Sequence, residues 1–303
     1  MLTKSLFKYF FINSFFDILY TVIEIYYIQS IVFFKKIITK ENKKVKKKIK
    51  IIICLLLFII ITGCKNNLKE INNLKDLSNK NIGIITGSEY DSIANKNLDK
   101  PKLLYYNSYS DQIAALKNGK LDAFLTDEPL AKEIIKNNDG LKILDEKLTE
   151  DSYAFAINPQ SKDLQKKVNS VLSEMKEKGK LAELEEKWMG NDEKKKELEN
   201  YTYKSTNGTI KFGVVSGSAP FVYVKNNKIV GYDVDVARYI AYKLKYKLEV
   251  VEMQYDGIIP AVVSGKVDMA GCSIIVTEER KKSVLFSDPD YTGGIVVVTR
   301  ELE

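Results

Sequence analysis

The sequence predicts an α/β protein of two lobes, and two runs of alternating strands and helices carry that prediction. The first run occupies residues 81–189 and the second occupies residues 209–303. In each run, short apolar segments alternate with amphipathic segments of helical spacing, which is the pattern of a parallel α/β layer. A charged, turn-rich segment at 190–208 separates the two runs and is expected to be a linker.

Both runs alternate strands and helices. The first has the strands NIGII, KLLYYN, LDAFLTDEP and LKILDE, with the helices SEYDSIA, DQIAALKNG and EPLAKEIIKN between them, and ends in two amphipathic helices. The second has the strands TIKFGVVSG, LEVVEM, KVDMAGC and GGIVVVTR, with the helices VGYDVDVARYIAYKLK and YDGIIPAVVSG between them. The acids at the start of the longer of these two helices lie where the helix dipole favours them.

The charge of the chain is concentrated at its N-terminal end. The formal net charge is +7, and residues 1–63 carry 11 lysines against 3 acids, so the remainder has a net charge of −1. A near-neutral body offers no basic surface for nucleic acid, and we expect no nucleic-acid partner. The chain has no histidine, and its 3 cysteines do not have metal-binding spacing. This excludes His-based catalysis and most zinc sites, so no metal and no cofactor are expected.

Residues 43–64, KKVKKKIKIIICLLLFIIITGC, have the composition of a signal peptide. A lysine cluster precedes an apolar run of about 12 residues, which is shorter than the roughly 20 that a membrane span needs. The ending Ile-Thr-Gly-Cys resembles the lipobox of bacterial lipoproteins, in which the cysteine carries the lipid. This resemblance implies a signal peptide at 45–63 and a lipid on Cys64 that anchors the protein to the membrane outside the cytoplasm. The alternative is a short core helix that ends at a cysteine.

The segments on either side of the signal peptide are treated separately. Residues 1–44 are apolar but interrupted by acids and amides, and we expect them to be upstream sequence read in frame. The alternative is an extra membrane segment. Residues 64–80 are polar and are expected to tether the folded part of the chain.

Segments of both runs resemble the family 3 extracellular solute-binding proteins, the amino-acid receptors of ABC importers. The second run is similar to the family's first lobe through KIVGYDVDVARYIAYKL, MQYDGIIPAVVSGKVDMA and TEERKKSVLFSDPDY. The first run is similar to its second lobe and closing helices through IGIITGSEYDSIA, GKLDAFLTDEP and LEEKWMG. The resemblance covers nearly all of residues 75–300. It implies a periplasmic-binding-protein-like clamshell of type II that closes on a ligand between two lobes.

The two lobes stand in the reverse of the family's usual order, in which the arginine-bearing lobe comes first. The resemblance therefore implies a circular permutant, with the second lobe and closing helices at 81–189, the linker at 190–208 and the first lobe at 209–303. Permutation costs little when the original termini lie close together at the surface. The alternative is a remnant of two tandem copies.

The resemblance assigns ligand contacts to both lobes. Arg280 matches the residue that grips the α-carboxylate of an amino acid, a role that suits a guanidinium fork. Its alternative is a solvated charge within TEERKK. Asp127 matches the acid that binds the α-ammonium and ends a strand where such sheets bind ligands; its alternative is a helix N-cap. Gly87 and Ser88 match a turn whose backbone N–H groups meet the carboxylate.

The remaining assignments include three departures from the family pattern. Tyr255 matches an aromatic that walls the pocket, with core packing as its alternative, and Ser273 lies where the family offers backbone or hydroxyl donors. Ser218 replaces a stacking aromatic, Ile275 replaces a hydroxyl that helps to hold the carboxylate, and Glu89 stands where threonine or glycine is usual. An acid beside a ligand carboxylate is unfavourable unless it is paired. We therefore expect Glu89 to turn outward or to meet a cationic ligand side chain.

The function that follows is a membrane-anchored, monomeric receptor. It captures a polar amino acid or a related small molecule and delivers it to the membrane subunits of an ABC permease, without catalysis. One alternative is a binding lipoprotein with altered or lost ligand specificity. Another is a dehydratase-like enzyme on the same fold, with Glu89 and Asp127 as an acid–base pair.

Overall fold

The computed structural model describes residues 70–302, which belong to one compact unit that begins at Glu70. The N-terminal extension at 1–44, the signal peptide at 45–63 and Cys64 with its lipid lie outside the described residues. Within 70–302, none of the helices has the length and apolar character needed to cross a membrane.

Strands and helices alternate along most of the described chain. The strands are β1 (Asn81–Ile85), β2 (Lys102–Tyr106), β3 (Ala123–Asp127), β4 (Leu141–Ile143), β5 (Asp151–Tyr153), β6 (Ala156–Ile157), β7 (Thr209–Val214), β8 (Tyr223–Lys225), β9 (Lys228–Val230), β10 (Lys247–Glu252), β11 (Met269–Ala270), β12 (Leu285–Phe286), β13 (Tyr291–Gly293) and β14 (Ile295–Arg300). The α-helices are α1 (Tyr90–Asn97), α2 (Tyr109–Lys117), α3 (Glu128–Lys136), α4 (Lys162–Glu177), α5 (Lys180–Met189), α6 (Tyr232–Leu244) and α7 (Ile258–Val263). Short 3₁₀ helices lie at Leu74–Leu77, Tyr255–Gly257 and Arg280–Lys282.

Local signals account for several of these boundaries. The Ser108 side chain accepts a hydrogen bond from the backbone N–H of Asp111 and so caps the start of α2. Pro129 lies in the first turn of α3, where its missing N–H costs no helical hydrogen bond. The strands β3 and β14 each begin with an unbroken apolar run and are buried along nearly their whole length, as expected for strands covered on both faces.

Sheet A has the strand order β2-β1-β3-β14-β4. The strand β1 pairs in parallel with β2 and β3, whereas β14 runs antiparallel between β3 and β4. The helices α1, α2 and α3 connect successive strands of this sheet, and together they form lobe A. One central strand of lobe A, β14, therefore comes from the end of the second sequence run.

Sheet B has the strand order β10-β7-β11-β6-β12. The strand β7 pairs in parallel with β10 and β11, and β6 pairs antiparallel with β11 and β12. Sheet B with α6 and α7 forms lobe B, and α4 packs against α6 and β12. Here β6 comes from the first sequence run, so each run contributes a strand to the sheet of the other.

The chain crosses between the two sheets through β5 and β13, which pair as a two-stranded antiparallel ribbon. Tyr153 of β5 lies opposite Tyr291 of β13. The boundary at 190–208 therefore does not coincide with the boundary between the sheets, because the chain changes sheet at these crossing strands instead. An apolar strand pattern predicts burial, but it does not specify which sheet buries the strand.

The closing helix α5 and the 190–208 segment are held by buried charged groups. Asp235 of α6 is fully buried and accepts hydrogen bonds from Lys187 Nζ (2.7 Å) and Trp188 Nε1 (3.1 Å) of α5. Lys196, within the 190–208 segment, is also buried and lies 3.1 Å from Glu133 of α3. The Glu199 carbonyl of the same segment accepts a hydrogen bond from Arg238 of α6 at 3.0 Å, so the segment packs against both lobes.

The two ends of the described chain both contact the segment around β4. Lys142 Nζ lies 2.8 Å from the Glu70 carboxylate, and the backbone N–H of Glu301 donates to the Gly140 carbonyl at 2.9 Å. Residues 70 and 301 therefore lie on the same side of lobe A.

Candidate ligand site at the seam between the two lobes

Asp127 lies at the seam, by which we mean the surface where lobe A contacts lobe B. It is the last residue of β3 and is 1% exposed. Its Oδ1 accepts from the Tyr153 hydroxyl at 2.8 Å, and its Oδ2 accepts from the hydroxyls of Tyr90 (3.1 Å) and Ser273 (2.8 Å). Because Ser273 belongs to lobe B, this last bond joins the lobes. Asp127 stands at the N-cap position of α3, but its side chain makes no capping bond.

The environment of Asp127 disfavours its charge. Burial raises the pKa of Asp127 to about 6, although the hydroxyl donors of Ser273, Tyr153 and Tyr90 act in the opposite direction. A buried carboxylate held by hydroxyl groups gains strongly from an additional cationic partner. The position therefore suits an ammonium group.

Arg280 reaches the seam from lobe B. It is only 7% exposed, so it is buried rather than solvated like the lysines that follow it. Its Nη1 donates to the Ile275 carbonyl at 3.1 Å, its Nη2 donates to the Gly87 carbonyl at 3.2 Å, and its Nε lies 3.0 Å from Glu89 Oε1. Two of these three partners belong to lobe A. The side-chain hydroxyl expected at position 275 is thus replaced by a backbone carbonyl that holds the guanidinium.

The turn after β1 is already occupied by protein contacts. The backbone N–H and the hydroxyl of Ser88 both donate to the Ile85 carbonyl, at 3.1 Å and 2.6 Å. This differs from the expectation that the Ser88 N–H meets a ligand carboxylate. Gly87 has φ +81°, and a Cβ atom there would lie 2.6 Å from the Cα of Asp256 in lobe B. The lobes therefore approach each other too closely here for a side chain at position 87.

Glu89 neither turns outward nor stays free for a ligand. It immediately precedes α1 and forms an ion pair with Arg280 across the seam. The physical reason is that a buried guanidinium requires a countercharge, and Glu89 supplies it. Glu89 and Asp127 consequently have different partners, and no hydrogen bond joins them among the described residues.

Tyr255 lines a cavity of about 450 Å³ between the lobes. Lobe A contributes Ile85 and residues 107–110 to its wall, and lobe B contributes 215–217 and 252–255. Burial raises the pKa of the Tyr255 phenol, and the nearby Arg280 charge opposes this rise. The wall is mixed, with apolar side chains beside polar ones, and its carboxylate, Glu252, is hydrogen-bonded to Ser216. Arg280 and Asp127 are not among the residues that line this space.

The sequence matches the bacterial extracellular solute-binding proteins, family 3, over residues 34–191 and 210–303. The chain belongs to this family. The predicted fold class, a two-lobe α/β clamshell of type II, is confirmed by this match together with the two sheets.

Individual relatives match this solute-binding protein over part of their length. The arginine-binding extracellular protein ArtP of Bacillus subtilis is 37% identical over 89 residues, which cover 29% of this chain and 35% of ArtP. The L-cystine-binding protein TcyJ of Escherichia coli K12 is 30% identical over 129 residues, covering 42% of this chain and 48% of TcyJ. A solved ancestral arginine-binding protein bound to arginine is 48% identical over 27% of this chain and 37% of its own, with a TM-score of 0.27. The chain thus spans between about a third and a half of the length of these three relatives.

Two other sequence-predicted residues of this solute-binding protein lie in lobe B. Ser273 has φ +45°, and besides its bond to Asp127 its backbone N–H donates to Asp233 at 2.9 Å. Ser218 is buried in the turn after β7, and its backbone N–H donates to the Val222 carbonyl at 2.8 Å. The structure therefore brings Ser273 to Asp127, whereas Ser218 bonds within its own turn.

Sequence reasoning missed three residues of the seam. Tyr90 and Tyr153 bind Asp127 through their hydroxyl groups, and Asp233 binds the backbone of Ser273. A tyrosine in an apolar pattern indicates burial but not the direction of its hydroxyl. The dipole of α6 accounts for an acid at the position of Asp233 but not for its near-complete burial, which raises its pKa to about 7. Elsewhere in 70–302, no group of three or more metal-ligating side chains is placed to hold a metal ion.

Proposed function

We propose that this solute-binding protein is an amino-acid receptor of an ABC importer, which captures a polar amino acid between its lobes. The observation that carries the proposal is that a buried acid from lobe A, Asp127, and a buried guanidinium from lobe B, Arg280, both lie at the seam. These are the complementary groups for an α-ammonium and an α-carboxylate. ArtP and TcyJ, which are named as binding proteins for arginine and cystine, also support an amino-acid ligand.

The ligand in this proposal lies with its α-carbon between Asp127 and Arg280, and Tyr255 borders the space beside it. Gly87 and Ser88 border the carboxylate end, and Ser273 supports the acid at the ammonium end. The ribbon of β5 and β13 connects the lobes and is the natural hinge for closure. Binding requires no bond to be made or broken, so the protein acts without catalysis.

Calorimetric titration of the full-length protein against the twenty amino acids and cationic analogues tests this proposal. We expect saturable 1:1 binding that Arg280→Ala and Asp127→Ala each abolish. Asp163→Ala is the matched control, since Asp163 lies exposed on α4, and it should bind like the wild type. Binding that both seam variants leave unchanged would contradict the assigned anchors. A folded protein that binds no amino acid would favour a lipoprotein with altered or lost ligand specificity.

The proposal includes attachment to the membrane and delivery to a permease. The lipobox-like ending at Cys64 and membership in a family of extracellular proteins support a lipid anchor outside the cytoplasm, and the proposal takes the protein to be a monomer. Growth with labelled palmitate should label the wild type and Cys54→Ala but not Cys64→Ala. Label that persists in Cys64→Ala would rule out this anchor.

We also propose that the chain is a circular permutant. The support is that β14 and β6 each complete the sheet of the opposite run, so one chain contains a full set of strands for both lobes. Residues 70 and 301 also lie beside the same strand, β4, where the usual lobe order would connect them. A remnant of two tandem copies is the alternative.

A further inference from the structure

The carboxylate of Glu89 lies beside the guanidinium of Arg280, which the proposed ligand needs to bind its own carboxylate. Its Oε1 is 3.0 Å from Arg280 Nε, and the two side chains are 24% and 7% exposed. At these exposures the pair is partly screened by water, but the guanidinium itself is largely withdrawn from solvent. The pair therefore neutralises the buried cation of lobe B with an acid from lobe A.

The Nη atoms of Arg280 are also hydrogen-bonded to the protein. Each Nη of a guanidinium carries two N–H groups, and here one N–H of Nη1 binds the Ile275 carbonyl while one of Nη2 binds the Gly87 carbonyl. A ligand carboxylate that approached Arg280 would meet a neutralised cation and the like charge of Glu89. Two carboxylates at one cation repel each other, so the approach costs free energy unless Glu89 leaves.

The same contacts join the lobes. Glu89 and Gly87 bring Arg280 to lobe A, and the hydroxyl of Ser273 brings Asp127 to lobe B. The absence of a side chain at Gly87 allows the backbone of Asp256 to approach it closely. Groups of the protein itself thus hold the seam together at the position where a ligand would otherwise join the lobes.

We propose that Glu89 is an internal occupant of the carboxylate site and a specificity-determining residue. Its ion pair with Arg280 holds the seam, and a ligand carboxylate binds Arg280 only when Glu89 moves away. The displaced Glu89 then loses its countercharge, unless the ligand carries a second positive charge. The protein therefore discriminates against neutral amino acids in favour of basic ones. This selectivity rests on the proposed function, whereas the latch formed by Glu89 and Arg280 does not.

The latch is tested on the full-length protein without added ligand, by hydrogen–deuterium exchange of the backbone. Glu89→Gln keeps the size of the side chain but removes its charge. We expect exchange in residues 86–90 and 276–283 to become about tenfold faster than in the wild type, because loss of the ion pair favours local opening. Glu278→Gln is the matched control, since Glu278 is an exposed acid paired with Lys281, and it should exchange like the wild type. Equal exchange in Glu89→Gln and the wild type would overturn the latch.

The selectivity is tested by calorimetry with L-lysine and L-glutamine, which have similar length and different charge. We expect the wild type to prefer lysine, and Glu89→Gln to reduce the ratio of the two affinities about tenfold, mainly by binding glutamine more tightly. An unchanged ratio, or no binding of either amino acid by any variant, would overturn the selectivity. If nothing binds but exchange still accelerates in Glu89→Gln, the latch stands and the amino-acid function fails. If both amino acids bind and Glu89→Gln alters neither ratio nor exchange, the function stands and Glu89 has no such role.

Discussion

At the scale of single residues, buried carboxyl groups dominate the seam. Burial raises the pKa of Asp127 to about 6 and that of Asp233 to about 7, and it raises the pKa of Asp290 well above its usual value. The mutual repulsion of these acids adds to the effect of burial for Asp233 and Asp290. Such groups take up protons when the protein folds, so they make stability depend on pH.

We expect the free energy of unfolding of Asp127→Asn, taken relative to that of the wild type, to be higher at pH 7.5 than at pH 4.5. The pKa of Asp127 rises from 3.8 to about 6 on folding, so the folded state binds this proton more tightly. The stability that the wild type gains from the proton on Asp127 is therefore complete below about pH 4 and is lost as the pH rises through about 6. The difference between the two pH values should be on the order of 1–3 kcal/mol in the free energy of unfolding.

Urea denaturation at both pH values measures this difference. Asp163→Asn is the control, because this acid lies exposed on α4 and should change stability about equally at both pH values. A stability change for Asp127→Asn that does not depend on pH would show that this acid keeps an ordinary pKa in the folded state.

Gly87→Ala is expected to open the seam. Gly119→Ala is a matched control, since Gly119 also has a positive φ (+74°) but no heavy atom lies within 4 Å of an added Cβ. Backbone strain should cost both variants about 1 kcal/mol, whereas only Gly87→Ala brings a methyl group against the backbone of Asp256. Gly87→Ala should therefore be the less stable variant in urea denaturation and should exchange amide hydrogens faster at 276–283. Equal behaviour of the two variants would mean that the lobes do not need this close approach.

At the scale of elements, β14 is the strand whose position matters most. It follows the arginine-bearing segment in the sequence, yet it packs between β3 and β4 of lobe A. Three consecutive valines at its centre are buried almost completely. The stability of lobe A therefore depends on residues more than 150 positions away from most of its strands.

Val297→Ala should destabilise the protein by roughly 2 kcal/mol, because it removes buried methyl groups from the centre of sheet A. Val224→Ala is the matched control: Val224 lies on β8, also in a strand, but is 55% exposed, and its loss should change stability by less than about 0.5 kcal/mol. Urea denaturation gives both values. Hydrogen exchange in β3 should accelerate in Val297→Ala, and exchange that stays unchanged in β3 would contradict the placement of β14 beside it.

At the scale of the whole molecule, we expect a chain in the usual family order to adopt the same fold. This chain begins at Lys204, runs through Leu302, continues through a short glycine–serine linker into Glu70 and ends at Tyr203. The contacts of residues 70 and 301 with the β4 segment make the new connection short. The exchange of strands between the sheets is preserved, so the core is unchanged.

The reordered chain should show a melting temperature within a few degrees of the wild type and the same pattern of ligand binding. Size-exclusion chromatography should give a monomer for both. An unfolded reordered chain, or a wild type that exists only as a strand-exchanged dimer, would contradict circular permutation and favour the remnant of tandem copies.

Sequence reasoning predicted the α/β class and the family, and both are confirmed. It also selected Arg280, Asp127 and Ser273, which the structure brings to the seam. It did not anticipate that Glu89 would pair with Arg280, because residues 191 positions apart reveal nothing about each other through local patterns. It likewise missed Tyr90 and Tyr153, since an apolar pattern accounts for the ring of a tyrosine but not for its hydroxyl.

The sequence by itself determined the local conformations, the two alternating runs and the residue types available for ligand contacts, because periodicity and turn residues act over short distances along the chain. Only the tertiary structure decided which sheet receives β14 and β6 and which acid neutralises Arg280. The physical reason is that strand pairing and ion pairing act over a few ångströms in space. Their partners are therefore set by the path of the whole chain and by the cost of burying a charge alone.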